Sequence, residues 1–266
     1  MSIHKTAIVE EGAVIEEGCI IGPYSFISSK AKLRKNVTIM NNVIIYGDSE
    51  IGEGTKVFPF VTIGCIPQDL KYEGEDTKIV IGKNNSIREH VTIHLGTNQG
   101  VGVTTIGDNC LLMVGAHVAH DVVLGNNIVI ANNVLIAGHV IIEDYSIIGG
   151  GTAIHQFCRI GENAFIGGMS GVGSDIVPFA LFTGIRASEE INGVNLIGLR
   201  RRNYTKQQIH DIVDAYDILF STKSTLKSNI EKIMNIYNDN PGVMKVMKFV
   251  NSEKTRNLCT KYRKDV

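Results

Sequence analysis

Leu124-Gly125-Asn126-Asn127-Ile128-Val129-Ile130-Ala131-Asn132-Asn133-Val134-Leu135-Ile136 decides the fold, because a branched aliphatic returns every six residues with Gly and Asn in between. Extended toward the N-terminus, the same frame runs back through Val118, Leu112 and Ile106, and forward through Ile142, Ile148, Ile154, Ile160 and Ile166 to Val172. A first block runs from Ile3 to Ile63 in steps of six, and a short second block holds Ile81, Ile87 and Ile93. All twenty-six positions of the frame are Ile, Leu or Val. Two residues before each lies a second set, mostly small or β-branched, such as Ala7, Ala13, Cys19, Ser25, Ala31, Ala116, Val122, Ser146, Thr152, Cys158 and Ala164. Side chains two apart on a strand share a face, so both sets point inward. The Gly, Asn and Asp that follow supply tight turns between short strands. A helix needs a period of 3.6 and a hairpin sheet needs a longer alternation, and neither fits. The frame predicts a parallel β-helix of stacked six-residue units whose stability is cooperative along the stack.

The frame slips twice, at residues 64–78 and 95–105, and insertions in a solenoid project from one side and often form its binding face. After Pro178 the repeat ends. Residues 186–203 look irregular and contain Arg200-Arg201-Arg202. Beyond Thr205, a helix-capping residue type, the apolar spacing becomes helical at Ile209, Ile212, Val213, Tyr216, Leu219 and Phe220. A second helix is predicted around 224–236 and a third after Pro241-Gly242. Two domains are expected: residues 1–185 as the β-helix with its two loop insertions, and residues 186–266 as a bundle of short helices.

The 266 residues carry a formal charge of −1, divided unevenly. Residues 1–185 hold 11 Lys and Arg against 18 Asp and Glu, and residues 186–266 hold 15 against 9. A basic module suits an acidic partner or phosphates, although small helical domains also carry scattered lysines without one. No apolar run approaches the roughly 18 residues that a membrane span needs. Met1-Ser2-Ile3-His4-Lys5 lacks the layout of a signal peptide. Cys19, Cys65, Cys110, Cys158 and Cys259 are scattered and odd in number, which fits a reducing cytoplasm with the thiols as small fillers.

No phosphate-binding Gly-rich loop, nucleophile elbow or zinc-protease motif occurs. Histidine stands out instead: His90, His94, His117, His120, His139 and His155 lie in the later coils, all outside the inward set, and are expected to face solvent or a neighbouring subunit. In Ala116-His117-Val118-Ala119-His120-Asp121 a histidine is followed by a carboxylate, the pairing of a general base with its orienting group. With three hexapeptides to a coil, as in the known families with this repeat, residues 18 apart stack at about 4.8 Å, placing His120 against Gly138 and Asp121 against His139. A base beside a backbone N–H that reaches an oxyanion is a workable acyl-transfer site. Zinc held by His117, His120 and a third histidine is the competing reading, and Asp121 beside the ligand fits it less well.

Further motifs complete the pattern: Gln68-Asp69-Leu70-Lys71-Tyr72, Ile87-Arg88-Glu89, Thr92-Ile93-His94, Leu135-Ile136-Ala137-Gly138-His139, His155-Gln156-Phe157 and Asn195 followed by Arg201-Arg202. With these, nearly end to end, the chain resembles the acyl-[acyl-carrier-protein]–UDP-N-acetylglucosamine O-acyltransferases that begin lipid A synthesis. The resemblance implies a left-handed parallel β-helix with a C-terminal helical domain, a homotrimer with active sites between subunits, and a cytoplasmic enzyme. It implies transfer of a 3-hydroxyacyl group from acyl carrier protein to the glucosamine 3-hydroxyl of UDP-N-acetylglucosamine. By motif position His120 is the general base, Asp121 orients it, and the Gly138 N–H holds the oxyanion. Asp69, Lys71, His139 and Gln156 become sugar and acyl-chain contacts, while Gln68, His94, His117 and His155 complete the cleft. Asn195, Arg201 and Arg202 become nucleotide contacts, the arginines matching diphosphate geometry. Phe165, Gly168 and Met169 lie where the family measures acyl length, and Gly168 leaves room for a longer chain.

A thioester is already activated, so one base and one oxyanion donor, each worth ~10²-fold or more, suffice without covalent nucleophile, metal or cofactor. Neither a nucleic-acid partner nor a stable membrane span is expected. Two departures stand out: Ile197 occupies the position two after the Asn where the best-known members are acidic, and the 186–193 stretch is longer and acidic at Glu189-Glu190. Other readings are acylation of a 3-amino UDP-sugar, the sister N-acyltransferase with an extra N-terminal domain for which Ile3 leaves no room, and a trimeric scaffold without activity.

Overall fold

The computed structural model describes residues 1–184, 188–253 and 255–263. From Ser2 onward the chain lays down strands, most of them two residues long, that stack into three parallel sheets of eleven, nine and eight strands. Every third strand joins the same sheet, so one coil contributes one strand to each face of a triangular prism. This is the left-handed parallel β-helix with a C-terminal helical region that the repeat and the resemblance imply. Ile3 pairs with Ile21 and Leu112 with Ile130, the expected offset of eighteen. Across the first insertion the offset becomes thirty (Val57 with Ile87), and across the second twenty-five (Ile87 with Leu112). The stack therefore absorbs twelve and then seven extra residues without losing register, in the twelve-residue loop 66–77 and the eight-residue loop 95–102.

The inward aliphatics form one continuous core, with Ile27, Ile63, Ile93, Leu112, Ile130, Ile148 and Ile166 wholly inaccessible. Where the smaller inward set carries a hydroxyl, it bonds a corner carbonyl: Ser25 Oγ to Met40 O, Ser146 Oγ to Gly161 O and Thr152 Oγ1 to Gly167 O. These buried hydroxyls are thereby satisfied. All five cysteines are free thiols; burial pushes Cys158 up to about 12 and Cys110 and Cys259 up to about 11, which suits packing groups rather than nucleophiles.

The third residue after most inward aliphatics has a positive φ, the left-handed conformation that turns the corner. Gly and Asn tolerate it best because other side chains crowd the following carbonyl. One corner column reads Gly18, Asn36, Gly54, Asn84, Asn109, Asn127, Tyr145 and Asn163. The column after the second sheet carries Asp121, His139 and Phe157, at φ of 58°, 62° and 66°.

After Pro178 the sequence repeat stops but the stack gains one more rung. The strand Ala180–Thr183 pairs in parallel with Phe165–Ile166, and Glu190–Val194 then closes that sheet in antiparallel. The expectation of an irregular 186–203 segment is corrected here, since it holds this strand and helix α1, Leu196–Arg201; residues 186 and 187 lie outside the described residues. The expected domain division at 185 also falls outside the described residues.

Helix α2 (Lys206–Leu219) follows the expected cap Thr205, α3 (Leu226–Tyr237), capped by Thr225, matches the helix expected around 224–236, and α4 (Pro241–Asn251), capped by Asn240, begins at Pro241 rather than after Gly242. Thr205 and Gln208 form a reciprocal capping box. Wholly buried Tyr216 ties α2 to the last coil by donating its hydroxyl to Pro178 O. Beyond α4 the chain returns to the solenoid, where the Cys259 N–H bonds Asp175 O, and buried Asp175 pairs with Arg159 at 2.8 Å. Among the described residues no helix is long and apolar enough to cross a membrane.

Replacing Ile130 by Ala deletes a fully buried side chain between two neighbours of the same column. Denaturant unfolding is expected to lose about 2–5 kcal/mol. A loss below about 1 kcal/mol, the range of an ordinary surface substitution, contradicts the column as the source of stability.

Candidate functional site

The corner column Asp121–His139–Phe157 is the framework of the site. Each residue stands one coil above the last, the His139 N–H bonding His120 O at 3.1 Å and the Phe157 N–H bonding Gly138 O at 3.2 Å. Asp121 is 3% exposed, and its carboxylate is the hub. It accepts from the Thr97 hydroxyl at 2.6 Å, from the Thr97, Val101 and Gly102 N–H groups at 3.0–3.1 Å, and from His120 Nδ1 at 3.0 Å. Burial alone raises its pKa, but the hydrogen bonds from His120 and Thr97 outweigh it and hold the carboxyl below its usual range. Asp121 is thus an anion that accepts only, so the Nδ1 of His120 carries the proton and its Nε2 keeps a free lone pair.

That Nε2 faces Gly138. A Cβ added there lies 2.5 Å from both Nε2 and Cε1 of His120, so no other residue fits without displacing the ring. Among the described residues nothing accepts a hydrogen bond from the Gly138 N–H. Asp69, from the first loop, places Oδ2 3.9 Å from His120 Nε2. His139 crosses the His120 ring edge-on at 4.9 Å and is stacked on Phe157 at 4.4 Å.

His120 and His94 are 4% and 6% exposed, which corrects the expectation that all these histidines face solvent or a neighbour. They do stand outside the inward frame, but loops 66–77 and 95–102 fold over that face and cover them. The loops are bound to each other, Gln99 Nε2 donating to Lys71 O at 3.3 Å, and Lys71 N–H donating to Asp69 Oδ1 at 3.0 Å. His117 and His139 are half-buried, and His90 and His155 are exposed. His117 Nδ1 lies 2.7 Å from Thr92 Oγ1, and His94 meets the His117 ring edge-on at 4.8 Å. Burial lowers the pKa of His117 and His139, and drives His94 down to about 4, its Nδ1 having no hydrogen-bond partner among the described residues.

Gln68, His94, His117, His120, Gly138 and Gln156 line one cleft of about 570 Å³. Asp121, His139 and Phe157 line the next, with Arg159. Lys71 is exposed in its loop, and His155 Nδ1 lies 2.6 Å from Arg256. Asn195, Arg201 and Arg202 are elsewhere, in a cavity of about 550 Å³ shared with Phe165, Tyr145 and Ile197. Asn195 uses both ends of its amide on the protein, capping α1 through the Gly198 N–H and donating to Asn163 O. Gly168 and Met169 sit exposed on another corner, away from Phe165.

Sequence reasoning missed Thr97 and Tyr145, and quoted Thr92 in a motif without a role. Thr97 lies in an insertion with no repeat to give it a phase, whereas Tyr145 breaks a column of Asn and Gly and was detectable from that alone.

His120, Asp121 and His139 bring ligand atoms within 4.8 Å of one another. As a metal site the set is poor, because both Asp121 oxygens already accept loop hydrogen bonds and His120 Nδ1 is held by Asp121.

A hexapeptide β-helix that holds a carboxylate-oriented imidazole against a glycine is a hexapeptide-repeat acyltransferase. Family models agree: "Bacterial transferase hexapeptide (six repeats)" matches residues 104–138 and "Udp N-acetylglucosamine O-acyltransferase; Domain 2" matches 175–259. The acyl-[acyl-carrier-protein]–UDP-N-acetylglucosamine O-acyltransferase of Campylobacter concisus is 42% identical over 97% of both chains. The chain belongs to this O-acyltransferase family. Among solved structures, the UDP-N-acetylglucosamine acyltransferase of Francisella novicida is 33% identical with a TM-score of 0.93, covering 99% of this chain and 95% of that one. The Campylobacter jejuni enzyme is 40% identical with a TM-score of 0.89, covering 97% and 98%.

A histidine whose folded pKa is depressed binds fewer protons than in the unfolded chain, so His94 stabilises the fold less as pH falls from 6.5 toward 4. Proton NMR of the ring is expected to show His94 titrating near 4. A midpoint near 6.5 contradicts its enclosure by the loops.

Proposed function

We propose that the chain transfers a 3-hydroxyacyl group from acyl carrier protein to the 3-hydroxyl of UDP-N-acetylglucosamine, the first step of lipid A biosynthesis. The observation that carries the reading is His120, with Nδ1 held by buried Asp121 and Nε2 open toward Gly138. His120 Nε2 takes the proton of the 3-hydroxyl as that oxygen attacks the thioester carbonyl. The carbonyl oxygen becomes an oxyanion on the Gly138 N–H. The C–S bond then breaks, and the imidazolium returns its proton to the departing thiolate. Asp121 stays ionised throughout and stabilises the imidazolium. Asp69, 3.9 Å from Nε2, leaves room for the sugar hydroxyl between them.

Gln68, Lys71, His94, His117, His139, His155 and Gln156 are proposed as sugar and acyl-chain contacts. Phe165, Gly168 and Met169 are proposed to set acyl length. Arg201 and Arg202 are proposed to hold the diphosphate, with Asn195 shaping that site as the cap of α1. Within one chain the arginine cavity and the His120 cleft share no lining residue. A homotrimer with sites between subunits brings such halves together, which supports that assembly. Residues 1–185 act as the catalytic scaffold and residues 186–266 as the basic module that meets acidic acyl carrier protein, in the cytoplasm.

His120→Ala is expected to lower turnover of 3-hydroxyacyl carrier protein and UDP-N-acetylglucosamine by about 10²–10⁴-fold with the fold retained. Full activity in that variant overturns the base assignment. A competition assay with the corresponding 3-amino UDP-sugar measures acceptor preference, and exclusive amide formation overturns the choice of a hydroxyl acceptor.

Thr97 acts as a positioning residue through Asp121. Thr97→Val removes one charge-assisted hydrogen bond and is expected to lower kcat about tenfold, with Thr97→Ser restoring it. A Ser variant as slow as the Val variant contradicts a role for the hydroxyl.

A further inference from the structure

Seven of the eight residues in the corner column from Gly18 to Asn163 are Gly or Asn, the types that the left-handed turn favours. Tyr145 departs from them, as does Phe179 in the coil beyond Asn163, and is held at φ 62° by the same backbone bond as its neighbours, N–H to Asn126 O at 2.9 Å. An aromatic ring is a poor occupant of that conformation. Its ring is also not needed to fill the core, because the column lies on the corner and the side chain is only half-buried. Among the described residues nothing hydrogen-bonds its hydroxyl. What the ring does touch is Arg202, whose guanidinium carbon stands 3.6 Å from the ring centroid.

Arg202 is exposed at the end of α1 and pairs with no carboxylate among the described residues. Two positions after Asn195, helix α1 presents Ile197, which offers no charge to hold a guanidinium. The ring is then the partner that fixes the fork. Stacking on a π face satisfies the plane of a guanidinium while leaving its N–H groups free at the edges. Tyr145, Arg201 and Arg202 all line the same cavity of about 550 Å³.

We infer that Tyr145 is a positioning residue, its ring holding the Arg202 guanidinium over the cavity so that its free N–H edge meets the diphosphate of the nucleotide sugar. This rests on the proposed reading of Arg202 as a diphosphate contact. It gives this half-exposed ring a role that the wholly buried ring of Phe179, one coil beyond Asn163, fills by packing in the core.

The repeat itself supplies the discriminating variant. Tyr145→Asn installs the residue that the column prefers, so a purely structural role predicts no defect from it. Titration calorimetry with UDP-N-acetylglucosamine is the direct readout, alongside steady-state kinetics. Tyr145→Asn is expected to weaken binding and raise KM for the nucleotide sugar about 5–10-fold, the range for an ordered cation–π contact. Its kcat and its KM for the acyl donor should stay within about twofold of the parent, and its Tm should be no lower. Tyr145→Phe keeps the ring and should bind as the parent does. Arg202→Ala should weaken binding at least as much, and adding Tyr145→Asn to it should weaken binding no further, because the two act through one contact. Parental affinity in Tyr145→Asn with weakened binding in Arg202→Ala overturns the role of Tyr145 alone. Parental affinity in both overturns it together with the reading of the cavity as the nucleotide site. Additive losses, or a fall in Tm with kcat and KM disturbed together, also overturn it.

Discussion

Each coil of this protein must bury an aliphatic on three faces and turn a corner between each pair of them, within eighteen residues. That constraint fixes the backbone of the third residue after the buried aliphatic in the left-handed conformation at corner after corner. The site depends on it directly. Asp121, His139 and Phe157 are corner residues, so their direction is set by the turn and their spacing by the stack. That backbone costs any side chain more than it costs glycine, though Asp and His tolerate it better than a ring such as Phe157 does. Asp121 offsets this by accepting five hydrogen bonds, four of them from the second loop and one from His120. The loop is consequently not an appendage. It encloses the carboxylate, and the carboxylate fixes the imidazole.

The frame of the solenoid was legible because burial on each face demands an aliphatic at a fixed phase, and phase is a property of sequence. His120 against Gly138, and Asp121 below His139, followed from that phase together with the three hexapeptides per coil of known families with this repeat. The helices α2, α3 and α4 were legible from Thr205, from the apolar spacing around 224–236, and from Pro241-Gly242. The burial of His94 and His120 was not, because it depends on the path of loops 66–77 and 95–102, which carry no repeat. The strand Glu190–Val194 was missed because Asn192-Gly193 reads as a turn, and its pairing with Ala180–Thr183 is a tertiary contact. Helix α1 spans six residues and contains Gly198, too short and too broken for periodicity, with Asn195 its one local signal.

Departures from the repeat are as informative as the repeat. At Gly18, Asn36 or Asn127 the corner needs nothing beyond a tolerant residue. At Tyr145 a bulky ring stands in the same backbone and contacts Arg202, and at Asp121 and His139 the corner presents a functional group. The corner residues Asp121, His139 and Phe157 line the cavity beside the imidazole, and Tyr145 lines the separate one around the arginines. The cavities belong to one reaction if subunits meet between them.

A crystal structure of the complex with UDP-3-O-(3-hydroxyacyl)-N-acetylglucosamine tests this account most directly. It is predicted to place the ester oxygen on the glucosamine C3 within about 2.6–3.2 Å of His120 Nε2, the acyl carbonyl oxygen on the Gly138 N–H, and the diphosphate on Arg201 and Arg202 across a subunit boundary. A product bound with its ester away from His120 and Gly138, beyond the reach of one bridging water, contradicts it.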